Sequence, residues 1–219
     1  MPNKTQAVKG RNMEGAVARW YAKNTASHRD GFRKEAAALA ARLKPGDTVL
    51  EVAPGPGYLA VELARHGGLR IVGVDYSFTF VEIAREEARR AGVWADFRQG
   101  DAAHLPCNDN VFDLVVCRAA FKNFGDPVGA IREMHRVLKP GGTALIEDMR
   151  KDATAKEIAR EVSGMTMGWF SAWITRRILR GLRKRAYTHA DFERMIAETP
   201  FHTGDIRTDG IGFAVLLRK

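Results

Sequence analysis

The spacing of hydrophobic and polar positions changes twice along the chain. In GFRKEAAALAARL the apolar residues Phe32, Ala36, Leu39 and Leu43 recur at three- and four-residue steps among strong helix formers. That spacing predicts an amphipathic helix. A shorter helical stretch upstream, AVARWYAKNTASHRD, carries Trp20 and Tyr21 and breaks near Asn24 to Ser27; Pro45-Gly46 closes the region. From Pro45 to Asp148 short apolar runs alternate with helical ones. TVLEVA, RIVGVD, WADFRQ, NVFDLVVCRA and TALIED read as strands, while YLAVELARHG, FTFVEIAREEARRAG and a segment opened by Asp126-Pro127 read as helices. The last helix is expected to run to VLKPGG, with Lys139 at its negative end. Strands joined through helices need crossover connections, so they form a parallel sheet covered on both faces, the α/β doubly wound class.

After Met149 the pattern becomes helical again, in DATAKEIAREVSG and MGWFSAWITRRILRGLRKR. THAD sets Thr188 as the N-cap of a further helix, with Asp191 three residues on, and FHTGDIRTD and GFAVLLRK close the chain as a predicted antiparallel hairpin. The chain thus divides into an N-terminal helical lid, 1–44, and a sheet domain, 45–219, with a helical cap insertion at about 150–187.

Composition narrows the class. The 219 residues carry a net charge of +9, basic at both flanks and acidic between them, and contain two cysteines, Cys107 and Cys117. A disulfide scaffold or Cys-rich zinc site is excluded. The histidines show no metal-binding spacing, so no metal is expected. No run approaches the roughly 18 apolar residues of a membrane-spanning helix, and no signal peptide is readable, so a cytoplasmic location is expected.

The sharpest chemical signal is the turn after the first strand, VLEVAPGPGYLAVELA. Gly55 and Gly57 let backbone approach a ligand at a helix start. Glu51 ends the first strand, Asp75 ends the second and Asp101 follows the third, at the sheet edge where crevice ligands bind. Asp75 is placed to accept bonds from ribose hydroxyls. The loop lacks the GKS or GKT of a P-loop, and the GxGxxG dinucleotide pattern fails in both registers. A nucleoside-like cofactor without phosphates is favoured over NAD.

ExAxGxG at Glu51 to Gly57, VDYS at Asp75, GDAAHLP at Asp101, Phe112-Asp113 and RVLKPGG at Arg136 to Gly142 together resemble the class I S-adenosylmethionine-dependent methyltransferases. The resemblance is to their type 11 branch, which includes the ubiquinone and menaquinone C-methyltransferases, and covers roughly Pro45 to Asp148. It implies a Rossmann-like, seven-stranded sheet with the last strand antiparallel, and S-adenosyl-L-methionine as cofactor. By position, Glu51 and the turn of Ala53, Pro54, Gly55 and Gly57 would surround the methionine part. Asp75 would hold the ribose, and Tyr76, Asp101 and Ala102 the adenine. Arg118 would sit near the methionine end, and Tyr21 joins the cofactor set. Ala53 stands where the family commonly has Gly, which should alter loop geometry without abolishing the site.

The acceptor is a small, partly apolar organic molecule, with aromatic, phenolic or quinol-like compounds suggested by the resemblance and O-, N- or S-methylation left open. Candidate catalytic groups are Arg118, Lys122 and Asn123 after the fourth strand, Asp148 as an amine-steering group or base, and His28 as a base. Lys122 or Arg118 would orient an anionic or enolic acceptor. In the basic helix near 168–185, Trp169, Trp173, Ile174, Ile178 and Leu182 form an apolar stripe. It either walls the acceptor site, with Trp169 or Trp173 in contact, or meets a membrane surface as a peripheral contact. No nucleic-acid module is readable. A non-catalytic nucleoside-binding regulator is the alternative function, and the chain is expected to be a monomer or homodimer.

Overall fold

The apolar runs become β1 (Thr48–Val52), β2 (Arg70–Asp75), β3 (Asp96–Gln99), β4 (Phe112–Arg118) and β5 (Leu138–Met149), with β6 (Asp205–Asp209) and β7 (Gly212–Arg218) closing the chain. In this computed structural model residues 8–9, 13–163 and 169–219 are described. The seven strands form one sheet in the order β3-β2-β1-β4-β5-β7-β6. β1 to β5 pair in parallel, and β7 lies antiparallel to both β5 and β6, as the hairpin pattern predicts. Both faces of the centre are covered. Leu50, Val52, Val115 and Cys117 join one core and Val49, Leu114 and Val116 the other, the period-two alternation of a sheet buried on both sides.

The helices are α1 (Gly15–Thr25), α2 (Arg29–Ala40), α3 (Tyr58–Arg65), α4 (Phe78–Ala91), α5 (Pro127–Val137), α6 (Ala155–Ser163), α7 (Trp169–Leu182) and α8 (His189–Ala197). A 3-10 turn, Ala26–His28, separates α1 from α2, at the break seen in the sequence. Asp126 caps α5 by accepting from the Gly129 amide at 2.8 Å, and Thr188 and Asp191 form a reciprocal capping box on α8. One boundary differs from expectation. α5 ends at Val137, because the wholly buried Leu138 is extended and pairs with Phe112 at the start of β5. Lys139 therefore serves no helix end; its ammonium bonds Asp113 at 2.7 Å. Met167 and Gly168, at the head of the predicted basic helix, lie outside the described residues.

The chain leaves β1 toward β2 on one side while β4 flanks it on the other. Such a topological switch opens a crevice at the carboxyl ends of the strands. α1 covers this crevice because Glu14 ties its start to α4. The Glu14 carboxylate accepts from the Phe78 amide (2.9 Å), the Thr79 amide (3.1 Å) and the Thr79 hydroxyl (2.6 Å). Near the other end of α1, the Tyr58 hydroxyl donates to the Ala22 carbonyl at 2.8 Å.

Candidate active site

The turn from β1 into α3 is held in a left-handed path, with φ of +57° at Ala53, +54° at Gly55 and +77° at Gly57. Gly57 has a second constraint. A Cβ there would lie 2.7 Å from that of Ala84 and 3.0 Å from the Phe97 ring, so α4 closes on this turn only over a glycine. At Ala53, the departure from the family glycine leaves an L-residue in the left-handed region, which is strained. Asp75 fastens the turn from β2: its Oδ2 accepts from the Gly55 amide and its Oδ1 from the Ser77 amide, both at 2.8 Å. Burial raises its pKa against the pull of those two bonds.

Glu51 is 4 % exposed, faces the crevice, and has no hydrogen-bond partner for its Oε2 among the described residues. Burial, and then the neighbouring charge of Glu35, push its pKa up to about 8. Glu35, on α2, is itself lifted to about 7 by burial, with Arg118 pulling the other way. The Arg118 guanidinium ion-pairs with Glu35 and, at 3.1 Å, with Glu147 of β5. One cation thus ties α2 to the sheet.

Glu51 and Arg118 line a cavity of about 440 Å³. Glu51, Gly55, Asp75, Tyr76, Asp101 and Ala102 form one part of its wall, with Ala53 and Pro54 at the turn. Asp101 also accepts from the Ala103 amide at 3.0 Å, so it shapes its own loop while facing the cavity. Tyr21 and Phe32 cover this part, Tyr21 packing edge-on against Phe80 at 5.8 Å. The rest of the wall comes from Val8, Asn123, Phe124, Ile178 and Leu182, with Lys9 and Arg185. The N-terminal segment is placed there by the Lys9 amide, which donates to the Asn123 carbonyl at 2.7 Å.

Four expectations about acceptor groups change. His28 is exposed in the turn between α1 and α2, bonds Ser27 at 3.2 Å, and is not part of the cavity wall. Asp148 is no free base: Oδ1 takes the Lys122 ammonium at 2.8 Å and the Met149 amide at 2.7 Å, and Oδ2 the Lys122 amide at 2.8 Å. Lys122, at the cavity wall but 5 % exposed, spends its ammonium on Asp148 and the Ala119 carbonyl, and so fixes the loop after β4. Trp173 is 56 % exposed and absent from the cavity wall, to which α7 contributes Ile178 and Leu182 instead; the side chain of Trp169 lies outside the described part.

Sequence reasoning passed over Glu14, Glu35 and Lys9. Glu35 alone had a local signal: it sits three residues after Phe32 and four before Leu39, an acid at the edge of an apolar stripe. S-adenosylmethionine, the cofactor implied by the resemblance, fits the residues present. The orphaned Glu51 oxygen awaits a donor, a Cβ on Gly55 would meet nothing within 4 Å, and two further carboxylates follow along the wall.

Comparison with known proteins agrees. Residues 50–146 match the type 11 methyltransferase-domain family. A demethylmenaquinone methyltransferase of Deinococcus radiodurans is 40 % identical over 117 residues, covering 53 % of this chain and 48 % of that protein. A 2-phytyl-1,4-naphtoquinone methyltransferase of Nostoc punctiforme is 35 % identical over 125 residues, covering 54 % and 53 %. The chain spans about half the length of these curated relatives. Among solved structures, a candidate S-adenosyl-L-methionine-dependent methyltransferase from Methanococcus maripaludis superposes with a TM-score of 0.71 over 98 % of this chain and 97 % of its own, at 22 % identity. A SAM-dependent methyltransferase from Aquifex aeolicus gives 0.64 over 87 % and 97 %, at 17 % identity. At those identities the structures show the fold alone. Over residues 50–146 the chain is thus similar to type 11 methyltransferase domains, and its fold is that of solved S-adenosylmethionine-dependent methyltransferases.

Proposed function

We propose that the chain is an S-adenosylmethionine-dependent methyltransferase acting on a small, partly apolar organic acceptor, with a phenolic or quinol-like ring as the favoured class. The observation that carries this reading is the single cavity in which Glu51, the left-handed turn, Asp75 and Asp101 share a wall with Phe124, Ile178 and Leu182. When bound, S-adenosylmethionine supplies a methyl group on an electrophilic sulfonium centre. The protein's part is alignment and exclusion of water. Asp75 has acceptor capacity left for ribose hydroxyls, since each of its oxygens holds one amide. Glu51 would offer its unpartnered oxygen toward the methionine part, with Arg118, ion-paired to Glu35 and Glu147, in the same cavity wall. Tyr76, Asp101 and Ala102, in the same cavity wall, would hold the adenine.

With Asp148 and Lys122 neutralising each other and His28 outside the cavity, the described wall supplies no ready base among the groups first considered. That favours an acceptor already nucleophilic, such as an electron-rich ring, over one that needs a proton removed during attack. A cytoplasmic location accords with this reading, and among the described residues no helix is long and apolar enough to cross a membrane. The test is a mass-spectrometric screen of phenols, quinols, amines and thiols with methyl-labelled cofactor. Label in an aromatic acceptor supports the proposal; label confined to amines or thiols rejects the favoured class.

A further inference from the structure

Charge is unevenly spread in the cavity. Its carboxylates, Glu51, Asp75 and Asp101, all belong to the wall formed by the glycine turn and the ends of β2 and β3. Among the described residues its cations are Lys9, Arg118, Lys122 and Arg185, and two of them are already answered within the protein, Arg118 by Glu35 and Glu147 and Lys122 by Asp148. The other two, Lys9 and Arg185, have no acidic partner among the described residues.

Lys9 is held in place. The Lys9 amide is fixed on Asn123, Val8 pairs with Phe124, and the Lys9 ammonium bonds the Tyr187 hydroxyl while lying 4.3 Å from that ring's centroid. Tyr187 is itself wedged against Phe121 and Phe192, at 5.7 and 5.8 Å. Arg185 precedes Tyr187 by two residues and reaches the same cavity. Burial and the nearby Lys151 both press the Lys9 pKa down, as befits an ammonium short of a counter-charge. Val8, Phe124, Ile178 and Leu182 supply apolar surface in the same cavity. Lys9 is partly buried and Arg185 is exposed; an incoming carboxylate offsets the cost of the partly buried ammonium and gains charge-assisted bonds from both cations.

We infer that the acceptor is an aromatic carboxylate, its anionic group held by Lys9 and Arg185 and its ring lying along Phe124, Ile178 and Leu182. The inference rests on reading this cavity as a combined cofactor and acceptor site. It moves the anion-orienting role foreseen for Lys122 and Arg118 onto two residues whose charge is still available.

The experiment is calorimetry on the full chain with a hydroxynaphthoate and the corresponding naphthol, which differ only by the carboxylate. Both are titrated into protein with and without S-adenosylhomocysteine. The naphthoate should bind about tenfold or more tightly than the naphthol, the scale of one charge-assisted contact, and the preference should shrink with added salt. Lys9→Met and Arg185→Met should each erode the preference while naphthol and S-adenosylhomocysteine affinities hold, which also reports that the variants are folded. Equal affinity for the two probes, no naphthoate binding, or a preference that survives both substitutions overturns the inference. Absence of S-adenosylhomocysteine binding is a separate result that rejects the methyltransferase reading, and the probe comparison is then read on the protein alone.

Discussion

At Ala53 the chain stores strain that a single substitution releases. An L-residue in the left-handed region costs about 1–2 kcal/mol, and glycine there regains it less about 0.5–1 kcal/mol of extra unfolded-chain entropy. Ala53→Gly is therefore expected to raise unfolding stability by on the order of 0.5–1 kcal/mol in urea titration. Asp148 makes the opposite case. Its loss strands the Lys122 ammonium in a buried place, which typically costs about 3–5 kcal/mol. Asp148→Ala should show that loss, and adding Lys122→Met should restore much of it; a catalytic base would instead lose turnover at unchanged stability. The strand-end acids Glu51, Asp75 and Asp101 were legible because each lies beside a turn signal in its own segment. The Lys122–Asp148 pair was not, since its partners stand on different strand ends that only the sheet brings together.

Between elements, the decisive contacts attach the N-terminal helices to the sheet domain. Glu14 satisfies two amides at the start of α4 while Thr79 answers the Gly15 amide, so two helix ends cap each other. Removing such a cap costs about 1–2 kcal/mol. Glu14→Ala should accordingly speed amide hydrogen exchange in Gly15–Thr25 while the amides of β1 and β4 keep their protection; uniform acceleration would show that α1 is no separate unit. Strand and helix order was readable because hydrophobic period and turn residues are local. The end of α5 was not, because burial of Leu138 against Phe112 overrides the stop signal of Pro-Gly-Gly. The same limit applies to α7: its stripe was visible, but which of its apolar residues face the cavity depends on how the helix docks.

Over the whole molecule, the raised carboxyls make stability depend on pH. Glu35 and Glu51 titrate at about 7 and about 8, against 4.5 for an unburied Glu, so the folded chain binds more protons than the unfolded one between those limits. Stability contributed there is intact below about pH 4.5 and falls as pH rises toward 8, by on the order of a few kcal/mol at about 1.4 kcal/mol per unit. The carboxylates held low by arginines, such as Glu86 at about 2, lose their contribution only at more acidic pH. Melting temperature should decline from pH 5 to 8, and Glu51→Gln should flatten that decline; an equally steep profile in the variant would place the effect elsewhere. A cation brought beside Glu51 favours its ionised form, which links this pH dependence to the cofactor site. The central claim, that this crevice is a cofactor site for S-adenosylmethionine, is tested most directly by calorimetric titration with the product S-adenosylhomocysteine, which requires no knowledge of the acceptor. Saturable one-to-one binding is expected, weakened by about 1–3 kcal/mol in a folded Asp75→Asn variant, the scale of hydrogen bonds to a charged group. Absence of binding at millimolar ligand, or an affinity indifferent to Asp75, would contradict it.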